Sequence, residues 1–330
     1  MNIPILRDGP YLHAIGWLRG KDCAARVATT PEWSNLPNPI DFAGDGGYRL
    51  QSGLQDGLQG GLQDGRQDEA PDDNRYEIPA AVMRGSGVTR ARSAAKATVY
   101  SALLGRKLLD TAAARPGYHG DRAGVAIASG SSITPIAWKF ETAGLRHGWD
   151  RTDTLLLPSS IPSAITTQVS AALDTHAAAI AFQDGLLGVC AALEYAHLSF
   201  LHRRSDCFLV MGADEVSRVQ CDALAALDDR RPWLDGASGM VLGRGPNTDE
   251  DWQLTLCANV SADRPPALPA DWSLAASLDI EVPGNATLFT APLLAYALHA
   301  LLRGATHRAI LNCRLPGRGV HILGFSQHKH

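Results

Sequence analysis

The sequence predicts an α/β fold built on a parallel sheet, and two stretches carry that expectation. Residues 177–215 open on a short apolar run, Ala177 to Phe182, that turns abruptly at Gln183-Asp184-Gly185. A segment of helical period follows, apolar at Leu187, Cys190, Ala191, Leu193, Tyr195 and Ala196. A second apolar run, Cys207 to Met211, then closes on Gly212-Ala213-Asp214-Glu215. Strand, tight turn, helix and strand in that order form the unit of parallel pairing. Residues 80–131 add a helix, with Val99, Leu103, Leu104 and Leu108 at helical spacing, and a buried strand, Gly124 to Ala128, running into the turn Ser129-Gly130-Ser131.

The composition fits that class. A chain of 330 residues, 45% hydrophobic and 19% charged, is ordinary for a soluble globular protein and suits two packed halves. A net charge of −4 with no stripe of Lys and Arg excludes a nucleic-acid binder. No uninterrupted apolar run reaches the roughly 18 residues of a membrane span. The first twenty residues lack the basic start and long apolar core of a signal peptide, so a cytoplasmic location is expected. The six cysteines (23, 190, 207, 221, 257 and 313) are scattered without a CxxC pair and read as reduced core residues. No cofactor and no metal site is expected.

In chain order, residues 10–17 read as a first strand, followed by a loop rich in Pro, Asn and Gly. Residues 44–75 have a different composition, with GLQDG, GLQGG and GLQDG nearly back to back. Frequent glycine opposes a helix and little apolar surface offsets the ordering entropy, so this is expected to be a disordered low-complexity insert. Pro158 to Ala164 precedes a helix over 165–173. After Asp235 to Leu242, a strand over 252–260, a Pro-rich connector and a strand ending Ile280-Glu281-Val282-Pro283-Gly284 follow. An Ala/Leu-rich helix, Ala291 to Leu302, and two closing strands, Ala309 to Cys313 and Gly317 to Leu323, complete the chain.

The turn at Gln183 resembles the nucleophile elbow of the β-ketoacyl synthases of the thiolase superfamily, where a Thr-Ala-Cys-like tripeptide ends the strand. In that register Gln183 stands at the cysteine position. Met211 to Glu215 is similar to the family's Ala-Gly-Gly-x-Glu. The strand ending at Gly130, the proline-containing segment at 158–164, and Arg231-Pro232-Trp233 followed by Asp235 to Leu242 resemble further family segments in the same order. Gln at this elbow is what the family's chain-length factors and decarboxylating chain-initiation domains carry. The resemblance implies a thiolase-like layered α/β/α/β/α fold of two pseudo-repeated halves, here 1–245 and a shortened 246–330.

The resemblance also implies what the chemistry lacks. A condensing enzyme needs a thiolate to hold the acyl chain and two imidazoles to assist decarboxylation and stabilise the enolate. Gln183 cannot form a thioester. No His-Gly-Thr-Gly-Thr segment lies between Leu242 and Gly284, and Asn285 stands where the second histidine would be. Cys190 lies two turns into the helix and reads as core; His197 and His202 sit near its end, His176 in a turn, and His321, His328 and His330 in a solvated tail. Ser129, Ser131 and Ser132 lack the Gly-x-Ser-x-Gly elbow of a hydrolase. The implied role is that of a non-condensing, chain-length-factor-like subunit in polyketide, polyene or fatty-acid-like biosynthesis, paired with an active ketosynthase or with itself and served by an acyl carrier protein. In the family the strand before the elbow pairs across the dimer, which places Ala177, Ala178, Ala179, Ile180, Ala181 and Phe182 at the interface. The alternatives are a malonyl-carrier decarboxylase using Gln183 and a non-catalytic scaffold for a carrier protein.

The insert is the part most open to a direct test. Deleting residues 50–70 is expected to leave soluble yield and the circular dichroism spectrum unchanged, because surface insertions cost little in closure entropy. A chain that no longer folds after this deletion would show the insert to be a structural element.

Overall fold

A computed structural model describes residues 5–6, 8–19, 25–29, 50–51, 78–113, 121–154, 156–215, 217, 236–246, 248, 251–260, 268–269, 272–281, 291, 293–315 and 319–327. In chain order the strands are β1 (Tyr11–Arg19), β2 (Ala25–Thr29), β3 (Leu50–Gln51), β4 (Ala123–Ala128), β5 (Ala179–Phe182), β6 (Cys207–Asp214), β7 (Gly236–Gly243), β8 (Trp252–Val260), β9 (Ala276–Glu281), β10 (Arg308–Leu315) and β11 (Gly319–Gln327). The helices are α1 (Ala80–Gly85), α2 (Lys96–Ala112), α3 (Thr134–His147), α4 (Ser163–Leu173), α5 (Gly185–Leu201) and α6 (Leu293–Gly304). The loop expected after the first strand contains β2, which pairs antiparallel with β1. The expected insert is entered by β3, whose Leu50 and Gln51 pair with Ile280 and Asp279 of β9; its other residues lie outside the described ones.

The strands follow one path, β3-β9-β10-β11-β8-β1-β7-β6-β4-β5. This path contains the same pattern twice. In the first half β1 lies antiparallel to β7, β7 antiparallel to β6, and β6, β4 and β5 are parallel. In the second half β8 lies antiparallel to β11, β11 antiparallel to β10, and β10 is parallel to β9. The halves meet where Tyr11 and Leu12 pair with Gln253 and Trp252. In each half a helix, α5 or α6, precedes the next-to-last strand. Where the first half carries β5 beside β4, the second carries, among the described residues, the two-residue β3 beside β9. This is the pseudo-repeat with a shortened second half that the sequence implied.

Strand alternation then sorts side chains into layers. On β6, Cys207, Leu209, Met211 and Ala213 face helices α2 and α4, joining Val99, Leu104, Leu108, Ile165 and Val169 in one core. Phe208 and Val210, on the opposite face, join a second core in which α5 and α6 pack with both halves of this path, hereafter the first and second sheets, reaching Leu278, Leu311, Leu323 and Phe325. The far side of the second sheet is a smaller cluster of Leu256, Trp272, Ile310, Val320 and Ile322. Among the described residues no helix covers that face, so the fifth layer of the implied α/β/α/β/α order is not seen in them.

At Gly212 the two halves approach closely. A methyl group there would collide with the backbone carbonyl of Ala291, just before α6. Gly212→Ala is therefore expected to cost about 1–3 kcal/mol by forcing backbone apart. Gly304→Ala, where the added methyl meets open space, should stay within about 1 kcal/mol of wild type. Urea unfolding of both variants checks this; equal stabilities would show that the close approach is not needed.

Candidate functional site

Strand β5 ends at Phe182, Gln183 is exposed, and Asp184 is the N-cap of α5. Gly185 starts the helix at φ 50°, in the left-handed region that glycine adopts without strain. The expected sharp strand-to-helix turn is thus present, with Gln183 at its tip. Gly188 lets α5 pack close to the sheet: a Cβ there would lie 3.1 Å from both Ala128 and Phe182 side chains.

The neighbouring turn, 129–132, holds the elbow in place. The Ser129 N–H donates to the Phe182 carbonyl at 2.9 Å, and the Gly185 N–H donates to the Ser129 carbonyl at 3.4 Å. The turn is itself organised by Asp214, the last residue of β6 and fully buried. Its Oδ1 accepts from Ser129 Oγ at 2.9 Å and from the N–H groups of Gly130 and Ser131 at 2.8 and 3.1 Å. Its Oδ2 accepts from the Ala291 N–H at 3.2 Å, across the two halves. Burial pushes the Asp214 carboxyl up to about 6, and these donors limit the rise. Ser129 in turn accepts from the N–H groups of Ser131 and Ser132. Its hydroxyl is committed to architecture, donating to Asp214 and accepting from the turn.

Glu215 is the next residue, and the alternation of side chains turns it to the opposite face. Its buried Oε2 accepts from the Ala97 N–H at 3.0 Å, in the first turn of α2. The N-cap Ala95 has no side chain able to do this. The carboxylate meets an otherwise uncapped helix start, where the dipole also favours it.

Cys190 is fully buried, as expected of a core residue. Its thiol hydrogen-bonds Cys313 of β10, and that bond together with burial holds its pKa well above the ordinary range. It is not a displaced nucleophile. Cys207, Cys257 and Cys313 are likewise free. Of the expected interface residues, Ala179 to Phe182 form β5, at the end of the strand path and paired, among the described residues, with β4 on one side. Ala179 is exposed and Ile180, Ala181 and Phe182 are partly exposed, while Ala177 and Ala178 precede the strand. Asn285 lies outside the described residues.

One expectation is overturned. His321 is not in a solvated tail: it lies within β11 with 8% exposure, on the face turned toward α5. Its burial lowers the imidazole pKa, and the nearby Asp184 carboxylate opposes that shift. His176 is exposed beside Asp174, as a turn residue would be. Among the described residues no group of three His, Cys, Asp or Glu side chains could hold a metal, and no helix is long and apolar enough to cross a membrane.

No family model and no curated protein matches the sequence. Solved structures do match. The ishigamide ketosynthase/chain length factor superposes with a TM-score of 0.62 at 12% identity, over 97% of this chain and 100% of that one. The chain has the ketosynthase fold. A β-ketoacyl synthase from Burkholderia phymatum STM815 gives 0.60 at 15% identity, covering 98% and 100%. A type II polyketide ketosynthase, in complex with its acyl-carrier protein, gives 0.57 at 12% identity, covering 98% and 100%. Within this ketosynthase fold the elbow, the Asp214 turn and the start of α5 form one connected site.

Sequence reasoning did not find Asp214 or His321. The signal for Asp214 was a carboxylate closing an otherwise apolar strand that faces core on both sides. The signal for His321 was its period of two with Leu323 and Phe325.

The pH dependence of Asp214 follows from its raised pKa. The folded state holds this proton more tightly than the unfolded chain, where the value is near 3.8, so protonation favours the fold. That contribution is present below the unfolded value and is lost as pH rises through about 6. The unfolding free energy of wild type relative to Asp214→Asn is expected to fall by about 2–3 kcal/mol between pH 4 and 7. Urea midpoints at several pH values measure this; a difference independent of pH would contradict it.

Proposed function

We propose that this chain is a non-condensing, chain-length-factor-like subunit that pairs with an active ketosynthase in a polyketide- or fatty-acid-like pathway and shapes its acyl tunnel. The observation that carries the reading is the amide of Gln183 at the tip of the elbow, where acyl transfer needs a thiol. The nearest cysteine in the chain, Cys190, is buried with its pKa raised. A side-chain amide has no nucleophile to offer an acyl group, so the position can contact a chain but not carry it.

The surface around β5 supports a partner. A strand with an unpaired edge is a template for pairing with another chain unless it is covered. Helix α3 and the turns around 149–161, which pack on one another, expose Trp138 (54%), Leu145 (80%), Trp149 (58%), Leu157 (50%) and Ile161 (48%). Large exposed apolar groups in neighbouring elements are what an interaction surface carries. The ishigamide protein is a ketosynthase/chain length factor, and a second matched ketosynthase is bound to its acyl-carrier protein. A subunit of this kind acts by steric limit. Each methylene admitted to a tunnel is worth roughly 0.8 kcal/mol of burial, so a wall moved by a few atoms decides where elongation stops.

Co-expression with the ketosynthase of its own locus tests the reading. The two chains are expected to co-purify, product length should depend on this chain, and intact-mass spectra should show no acyl adduct on it. Ala179→Asp places a carboxylate on the exposed edge, where it leaves the isolated fold intact and should abolish co-purification by burying an unpaired charge. A chain that stays monomeric beside every synthase and leaves product length unchanged refutes the proposal. CO2 release from malonyl-carrier protein by the chain alone would instead favour the decarboxylating role of Gln183.

A further inference from the structure

Residues 244–251 connect β7 to β8, and so the first half to the second; a histidine of β1 sits against them. At this point β1 carries one residue more than its partner. Leu12 pairs with Leu242 and Ala14 with Val241, which leaves His13 as the extra residue of a bulge. The side chains record the same slip: Leu12 shares the core of Ile15 and Trp17, whereas Ala14 lies in the core of the opposite face. Tyr11 and Leu12 also pair with Gln253 and Trp252 of β8, so the bulge adjoins the seam of the halves. The His13 ring lies over Gly243, where an added methyl group would collide with it.

The connection holds the ring from two places. Nε2 lies 2.8 Å from the Gly245 carbonyl, which can only accept, so Nε2 carries a hydrogen and donates it. The same nitrogen is 3.9 Å from Oδ2 of Asp251, and both side chains are only 2% exposed. Asp251 is itself fixed within the connection: Oδ2 accepts from the Thr248 N–H at 3.2 Å and Oδ1 from the Thr248 hydroxyl at 3.1 Å. Its charge also reaches Tyr11, whose phenol pKa is pushed up by burial first and then by Asp251 and Asp8. Among the described residues, the charged or titratable groups around the ring are therefore Asp251 from the connection, Tyr11 from β1 and Asp8 before it. Cys207, opposite Gly243 on β6, is a thiol whose pKa burial pushes up, and Trp252 and Gln253 of β8 are neutral. Arg244 turns to Asp206 and the Ser205 carbonyl instead.

We propose that His13 and Asp251 form a pH-governed clamp on the connection between the halves: a charged ring holds β1 and the connection together, and a neutral ring lets the connection open more readily. Imidazole is the side chain whose charge changes in the physiological range. Attraction to a carboxylate at this separation and the loss of water around a buried charge oppose each other with comparable strength, so pH decides between the two states. The direction follows from the partner. In the unfolded chain no carboxylate is fixed beside the ring, so proton uptake favours the clamped state. That contribution is present at acidic pH and is lost as pH rises through the titration of the ring in the fold. Loss of the proton leaves the Gly245 bond in place and deprives a buried carboxylate of the positive charge beside it. The clamp acts at the seam of the halves, whatever the elbow contacts.

The test uses the full chain. Hydrogen exchange of the peptide 244–254, corrected for the intrinsic rate at each pH, reads the opening of the connection. Opening should rise roughly tenfold between about pH 5.5 and pH 8, the size of one charged contact. His13→Gln keeps a donor for Gly245 and cannot take up the charge, so its opening should be the same at both pH values. Asp251→Asn should flatten the dependence in the same way, and the double variant should behave as either single one does. Ring resonances of His13, assigned through its backbone, should titrate at lower pH in Asp251→Asn than in wild type. The 129–132 turn, whose pH response belongs to Asp214, should respond alike in His13→Gln and wild type, which separates the two groups. Opening that ignores pH in wild type, a dependence that survives in His13→Gln, or a ring midpoint unmoved by Asp251→Asn would each overturn the proposal. Should His13→Gln fail to fold, the ring midpoint decides by itself.

Discussion

One buried carboxylate ties the strand-to-helix elbow together. Asp214 sits at the end of the central strand of the first sheet and accepts from the 129–132 turn with one oxygen and from Ala291 with the other. The turn in turn fixes Phe182 and Gly185, and so the position of Gln183 between them. A carboxylate in this place costs desolvation, which its raised pKa records, and several well-aligned donors offset much of that cost. Its neighbour Glu215 does comparable work on the opposite face by satisfying the start of α2. Two successive acids at a strand end therefore hold an elbow, a helix and the junction of the halves.

The second organising feature is α5. It is apolar almost all round because it is covered on both sides, by the first sheet through Phe208 and Val210 and by the second through Leu311, Leu323 and Phe325. A helix in that position places its first turn at the meeting of two halves. Gln183 and Asp184 of the first half sit there, and the Asp184 charge reaches His321 of the second. The Cys190 thiol, bonded to Cys313, lies deeper along the same contact, where that bond and burial raise its pKa.

The fold was largely legible in the sequence. Helices α2, α4, α5 and α6 and strands β1, β4 to β6 and β8 to β11 announced themselves through period and turn chemistry. The elbow did too, because a strand that ends in Gln-Asp-Gly before a helix leaves few conformations open. What was not read was β2, hidden in a loop-like composition, and α3, whose half-exposed face offers a weak apolar stripe. Residues 44–75 read as an insert throughout, yet Leu50 and Gln51 pair with β9, an outcome that depends on which edge the second sheet leaves available.

The sequence by itself determined the kind of most elements and the glutamine at the tip of the strand-to-helix turn, because these are local properties of a few consecutive residues. Only the tertiary structure decided which distant groups meet at the elbow. Asp214 reaches Ser129 across 85 residues and Ala291 across 77, and His321 is buried in the last strand of the chain. No local pattern encodes such meetings. They follow from how two sheets stack on a shared pair of helices, and a histidine near the end of the chain becomes buried only once that stacking is complete.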